Sequence, residues 1–207
     1  MKEFKTSLDS FIGGWYIDEK ICDDLIDYYN LNKRKTKKGS IIRNNKSLID
    51  TDKKDCTQIS IDYMYNSDVI AKYRKQLQIC LENYVERYSE VKDLDKFNVL
   101  TNYNIQHYKP NQGFKIWHHE RNTSINANRV LVFMTYLNNT DGGTEFKYQK
   151  LTTPCKKGLT LIWPTDWTHT HRGQISKKQE KYIVTGWYDY IQAWLNSYMS
   201  IYKWWGI

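Results

Sequence analysis

The feature that most constrains this chain is a change of period near residue 97. Before it, apolar side chains recur at helical spacing. After it, short runs rich in Val, Ile, Thr, Tyr, Phe and Trp alternate with turn signals such as Lys109-Pro110-Asn111-Gln112-Gly113 and Asp141-Gly142-Gly143. Ile17, Ile21, Leu25 and Tyr28 mark a short amphipathic helix over 17–30, with Asp18 placed to cap its first turn. Val69, Ile70, Tyr73, Leu77, Leu81, Tyr84 and Tyr88 mark a longer one beginning after Asn66-Ser67-Asp68. Strands are expected near 99–108, 114–120, 129–137, 144–148, 158–163, 167–171 and 181–189. Helices first and strands after imply an α+β fold in which helical faces cover a sheet. Trp194, Tyr198, Ile201, Tyr202 and Trp205 share one helical face, so a C-terminal helix packed on the strands is expected. A chain of 207 residues lies in the single-domain range. Residues 1–207 are therefore read as one domain, with helical support over about 1–96, a β core over about 97–190 and a closing helix over about 191–207.

No stretch approaches the roughly 20 apolar residues of a spanning helix. The N-terminal run MKEFKTSLDSFIGGW lacks the apolar core of a secretory signal. The expectation is a cytoplasmic protein without a membrane partner, as a monomer or weak dimer. Cys22, Cys56, Cys80 and Cys155 are scattered without metal-ligand or paired spacing, so buried free thiols are expected. The net charge of +8 raises the question of an acidic partner. Much of that excess sits in Lys33-Arg34-Lys35-Thr36-Lys37-Lys38, which reads as part of a solvated, mobile basic loop over 31–57.

Within the expected strand 114–120, His118 and Glu120 lie two apart, so alternation turns both to one face and His119 to the other. One more histidine from a distant strand, His169 or His171, would complete a two-His-one-carboxylate facial triad. That is the non-haem iron(II) arrangement, and it leaves metal positions open. 2-Oxoglutarate would fill two of them and dioxygen the third, and oxidative decarboxylation would supply an oxidant for a C–H bond. The distal carboxylate of that cosubstrate costs several kcal/mol to bury unless a cation meets it. Lys181 stands ten residues after His171 and opens the strand Lys181-Tyr182-Ile183-Val184-Thr185-Gly186-Trp187, which a turn over Gln174 to Glu180 would bring back antiparallel to His171.

At these residues the chain resembles the prolyl 4-hydroxylase-like branch of the Fe(II)/2-oxoglutarate-dependent dioxygenases, particularly its compact bacterial and phage members. The resemblance covers about residues 97 to 190. It runs through Tyr108 to Gly113 and on to His118, Arg129 through Tyr136-Leu137-Asn138, Gly142-Gly143-Thr144-Glu145-Phe146, Pro154 and Gly158, His171-Arg172-Gly173, and Lys181 through Gly186-Trp187. It implies a double-stranded β-helix (jelly roll, cupin-like). It also implies His118, Glu120 and His171 as iron ligands and catalytic centre, Lys181 as the grip on 2-oxoglutarate, and Tyr108 and Tyr136 as cosubstrate-pocket residues. Trp187 would stand near the substrate entrance and Arg129, opening its strand, would contact substrate. His169, read on the same strand face as His171, is expected to give a substrate-pocket hydrogen bond.

The family usually has Asp at the position of Glu120. Glutamate is one methylene longer, so metal or strand must shift by roughly 1 Å to keep a bond of about 2.0–2.2 Å. A carboxylate there favours hydroxylation over halogenation. The resemblance implies hydroxylation of peptidyl proline with Fe(II), 2-oxoglutarate, O2 and accessory ascorbate, in a bacterial or phage-infected host cell. Three alternatives differ in class. A hydroxylase of a free amino acid or small metabolite would use an extra cationic anchor such as Arg172 or Arg129. A nucleic-acid oxidative demethylase suits the basic balance and the many aromatics, but the repair enzymes resembling this fold carry an arginine pair after the distal His, whereas Arg172 is the only arginine after His171. A catalytically inactive barrel serving as a binding module would have no need of the triad and lysine.

Overall fold

The computed structural model describes residues 1–43 and 46–191. The two expected helices are present. α1 (Glu19–Leu31) is capped by Asp18, which accepts from Lys20 N at 2.9 Å, and it buries Ile21, Cys22, Leu25 and Tyr29. α2 (Asp68–Arg87) buries Ile70, Tyr73, Leu77, Cys80, Leu81 and Tyr84 along one stripe. The strands, in chain order, are β1 (Lys2–Glu3), β2 (Gly13–Tyr16), β3 (Lys37–Lys38), β4 (Ile41–Arg43), β5 (Lys46–Leu48), β6 (Thr57–Ile61), β7 (Phe97–Asn98), β8 (Tyr103–Tyr108), β9 (Arg129–Tyr136), β10 (Thr140–Phe146), β11 (Leu151–Cys155), β12 (Leu159–Pro164), β13 (His171–Gly173) and β14 (Lys181–Tyr190).

Among the described residues these build a large antiparallel sheet in the order β1-β2-β12-β9-β14-β8-β6-β3, with β7 also on β14, and a small sheet in the order β11-β10-β13. The large sheet is buried on both faces, and its period of two sorts the side chains between them. Leu131 and Phe133 of β9, Tyr103 and Ile105 of β8, and Tyr182, Val184 and Tyr188 of β14 pack with α1 and α2. Val132, Met134 and Tyr136 of β9, with Tyr108, Leu161, Trp163 and Ile183, face the other way and meet Phe146 and Cys155 of the small sheet. The arrangement is mostly sheet, two layers of it, with two helices on the outer face.

One irregularity redirects a side chain. Tyr188 pairs with Leu131 and Asp189 with Arg129, so β9 carries an extra residue there. A bulge of this kind inverts alternation beyond it. Arg129 therefore faces the space between the sheets with Met134 and Tyr136, and not α2 with Leu131 and Phe133.

Several expectations are corrected. The segment 114–120 is not a continuous strand. Phe114 bridges Lys54 and His118 bridges His171, with irregular backbone between. Residues 167–169 form a 3-10 turn, so the expected strand 167–171 begins only at His171. The stretch 31–57 is not a loose loop: it holds a 3-10 turn at Lys33–Lys35, β3 on the edge strand β6, and the β4–β5 hairpin. Strands β1, β2, β6, β7 and β11 were not foreseen, and the stretch 1–96, read as helical support, contributes β1, β2, β3 and β6 to the large sheet. The four cysteines are free and buried as expected, and burial pushes the Cys22 and Cys80 thiols up to about 12. The C-terminal helix expected over 191–207 lies outside the described residues. No helix among the described residues is long and apolar enough to cross a membrane.

Gly142 and Gly143, part of the turn signal Asp141-Gly142-Gly143, have no positive φ; among the described glycines only Gly158 does, at 81°. They lie inside β10, where the register shifts between Thr140 and Thr144. A Cβ on Gly143 would stand 1.8 Å from Thr153 O, so the need is for close approach of two backbones. Gly143→Ala is expected to cost at least about 2 kcal/mol through forced displacement of β11 from β10. A shift of the urea midpoint at unchanged slope would register it, and an unshifted midpoint would contradict the contact.

Candidate metal and cosubstrate site

A cavity of about 500 Å³ opens between the two sheets. His118 is brought to it by a reciprocal backbone pair with His171, N to O at 3.0 and 2.9 Å. Glu120 is carried alongside by its own N–H to Thr165 O at 3.1 Å. The potential ligand atoms of His118, Glu120 and His171 all lie within 4.8 Å of one another, and each residue comes from a different local backbone environment.

The imidazoles have defined tautomers. His118 Nδ1 donates to Ile116 O at 3.0 Å, and His171 Nδ1 donates to His169 O at 2.9 Å. A carbonyl only accepts, so Nδ1 carries the proton in both rings and each Nε2 presents a lone pair. Both Nε2 atoms face Glu120 Oε1, at 3.5 and 3.6 Å. Packing fixes the ring planes: His118 stacks on Phe114 with centroids 3.6 Å apart, and His171 meets Trp163 edge-on at 5.1 Å. Burial, helped by the neighbouring His171, holds the His118 pKa below its ordinary value. Burial alone would raise the Glu120 carboxyl, but the two imidazoles facing it outweigh that and hold it well below the usual range. Two lone pairs and one carboxylate, already oriented, are the donor set a divalent cation of the iron type takes.

The other oxygen of Glu120 is pinned. Trp187 Nε1 donates to Oε2 at 3.0 Å, and Arg129 approaches it at 3.5 Å while donating to Glu120 O at 3.0 Å. The Arg129 guanidinium lies over the Trp187 ring at 3.5 Å. The extra methylene of glutamate is thus held by two donors from β9 and β14.

Lys181 borders the same cavity and is only 4% exposed. Its Nζ donates to Gly142 O at 3.1 Å and Gln174 O at 2.8 Å, and stands 5.2 Å over the Tyr108 ring. Burial lowers its pKa, and among the described residues no carboxylate pairs with it within 4.0 Å. An ammonium buried against carbonyls, with no anion of its own, fits the distal carboxylate of a dicarboxylic acid. Tyr108 and Tyr136 line the cavity beside it. Tyr108 OH donates to Gln106 Oε1 at 2.6 Å and Tyr136 OH to Thr144 Oγ1 at 2.7 Å.

His169 departs from expectation. It sits in the 3-10 turn, buried, with Nε2 3.0 Å from Ser10 O, and is not among the residues lining the cavity. Its side chain ties that turn to the N-terminal segment, so the expected pocket hydrogen bond has no geometric basis. Arg172 is engaged by Glu145 at 2.5 Å outside the cavity lining. His119 borders the cavity although alternation had turned it away, because 114–120 is not a strand. Sequence reasoning missed Gln106, Thr144, Phe114 and Lys54. The first could have been found by counting back two from Tyr108 along β8.

Residues 103–189 match the family model of the 2OG-Fe(II) oxygenase superfamily. The likeness to a 2OG-Fe(II) oxygenase spans 87 of the chain's 207 residues. The matched stretch contains β8 and β9, the whole small sheet, both histidines, Glu120 and Lys181. A comparison with curated proteins finds no match. Among solved structures, the core and its helices resemble a viral collagen prolyl hydroxylase of Paramecium Bursaria Chlorella virus-1 in its 2OG complex (TM-score 0.64, 19% identity, 87% of this chain and 97% of that one). They also resemble a prolyl-4-hydroxylase of Pseudomonas putida (0.63, 10%, 89% and 97%). A third is a Trichoplax adhaerens prolyl hydroxylase in complex with a hypoxia inducible factor oxygen degradation domain peptide fragment (0.65, 16%, 85% and 83%). At these identities the likeness establishes a fold shared with these prolyl hydroxylases.

Proposed function

We propose that the chain is an Fe(II)- and 2-oxoglutarate-dependent dioxygenase that hydroxylates a C–H bond of a peptide substrate, with peptidyl proline first in line. On this reading the two sheets are the halves of a double-stranded β-helix, and residues 1–207 act as one domain. The observation that carries it is the convergence of two imidazole Nε2 atoms and the Glu120 carboxylate in the same cavity as the buried ammonium of Lys181, which has no carboxylate partner among the described residues. His118, His171 and Glu120 would hold the iron, and Lys181 would hold 2-oxoglutarate. Together with dioxygen, the bound iron and cosubstrate supply an oxidative decarboxylation to succinate and CO2 coupled to hydroxylation, with ascorbate as accessory reductant.

The protein's own part is binding, orientation and exclusion of water. Nδ1–H bonds to backbone carbonyls keep both imidazoles as neutral Nε2 donors. Trp187 and Arg129 hold Glu120 Oε2, leaving Oε1 toward the histidines. Tyr108 and Tyr136 close the cavity wall near Lys181. A peptide substrate is supported by the peptide-bound neighbour.

The test of substrate class is mass spectrometry of proline-containing peptides after incubation with protein, Fe(II), 2-oxoglutarate and air. Gain of one oxygen on proline supports the reading, and oxygen appearing only on other residues or on free metabolites rejects proline. Trp187→Phe removes the 3.0 Å bond to Glu120 while keeping an aromatic at the entrance. Iron(II) affinity in an anaerobic titration should fall by about 10- to 100-fold, the usual worth of a partner orienting a ligand. Unchanged affinity would show that Glu120 needs no such support.

A further inference from the structure

Lys54 is a second buried ammonium in this cavity. It is 8% exposed and borders the cavity, with its Nζ 3.3 Å from Ser40 O. That ammonium lies 5.2 Å over the Phe114 ring, whose other neighbour is the His118 imidazole stacked at 3.6 Å. One phenyl ring thus separates it from a metal-ligand histidine. Its position is built: Lys54 bridges Phe114, Asp55 N donates to Gly113 O at 3.0 Å, and Lys115 N donates to Lys53 O at 2.8 Å.

Three nearby cations have carboxylate partners. Lys53 pairs with Asp50 at 2.7 Å, Lys38 with Asp55 at 3.6 Å, and Arg129 with Glu120 at 3.5 Å. Among the described residues Lys54 has no carboxylate within 4.0 Å. 2-Oxoglutarate brings two carboxylates, one to chelate with its keto oxygen and one for Lys181, so the cosubstrate leaves none for Lys54. Its contacts among the described residues are the Ser40 carbonyl and the Phe114 ring, and a buried cation is stabilised further where an anion joins it. We infer that Lys54 anchors a carboxylate of the substrate, which makes the substrate acidic close to the carbon that is oxidised. This rests on the iron and 2-oxoglutarate reading above. Two sources present that chemistry: an acidic side chain flanking the target in a peptide, or the α-carboxylate of a free amino acid.

The test uses full-length protein loaded with Fe(II) and 2-oxoglutarate, and reads substrate-stimulated succinate release with matched probes. Proline pentapeptides carrying Glu on either side of proline are compared with their Gln twins, and L-proline with L-prolinamide. The acid twin should show a KM lower by roughly tenfold or more, the worth of a charge-assisted hydrogen bond. Lys54→Met should erase that ratio, Lys54→Arg should keep it, and the KM for 2-oxoglutarate should stay within about twofold in both. The probe pair that responds identifies the source. Equal KM for acid and amide twins, a ratio that survives Lys54→Met, or no response to any acidic probe while 2-oxoglutarate is still turned over would overturn the inference. A tenfold rise in the KM for 2-oxoglutarate in Lys54→Met would overturn it by making Lys54 a cosubstrate anchor. Absence of all 2-oxoglutarate turnover in the wild type would strike the underlying iron reading, and this inference with it.

Discussion

His171→Ala is expected to leave less than roughly 1% of the wild-type turnover of 2-oxoglutarate at limiting iron. Even a partner that only orients a ligand is worth about 10- to 100-fold in metal affinity, and the ligand itself is worth more. The substitution removes one of two Nε2 lone pairs, leaving His118 and Glu120 to hold the cation alone. The backbone of His171 still pairs with His118 and with β10, so the sheet persists. His169 is the informative control, two residues away and of the same type. His169→Ala should lower the thermal midpoint through loss of the Ser10 contact and leave iron affinity within about twofold of wild type. If His169→Ala abolished iron binding and His171→Ala did not, the ligand assignment would be reversed.

Lys181→Met is the second large effect. Truncating one partner of a buried charge pair costs about 2–5 kcal/mol, so the KM for 2-oxoglutarate should rise by about thirtyfold or more. The apo protein should not suffer in proportion. Lys181 is a buried cation with no carboxylate partner among the described residues, and an apolar side chain of similar length in its place removes a desolvation cost. The thermal midpoint without cosubstrate is expected to stay within a few degrees of wild type. The stabilisation that 2-oxoglutarate confers on the wild type should disappear. A variant that loses stability and retains its KM would show Lys181 to be structural.

The two helices and strands β8, β9, β12 and β14 were legible because each carries an uninterrupted period over several residues. The pairing of His118 with Glu120 was legible for a reason that did not hold. Alternation in a strand was invoked, whereas the two converge because separate backbone bonds, to His171 and to Thr165, aim them at one point. Alternation failed for His119 on the same account. It could not separate His169 from His171 either, since two residues of one histidine pattern fall into a 3-10 turn and a strand. Arg129 faces the cavity through a bulge that no local pattern announces. Lys54 was the least visible of all. Its segment is rich in Lys and Asp and reads as solvated, and only pairing with 113–115, some sixty positions away, buries it.

The most direct test of the central claim is succinate formation from 2-oxoglutarate by purified protein under air with Fe(II) and ascorbate, with iron occupancy measured alongside, in wild type and Glu120→Ala. Iron-dependent succinate in the wild type, lost together with iron in Glu120→Ala, is the predicted result. A wild type that binds neither iron(II) nor 2-oxoglutarate and forms no succinate would contradict it, and would leave His118, Glu120 and His171 as a polar cluster between two sheets without catalysis.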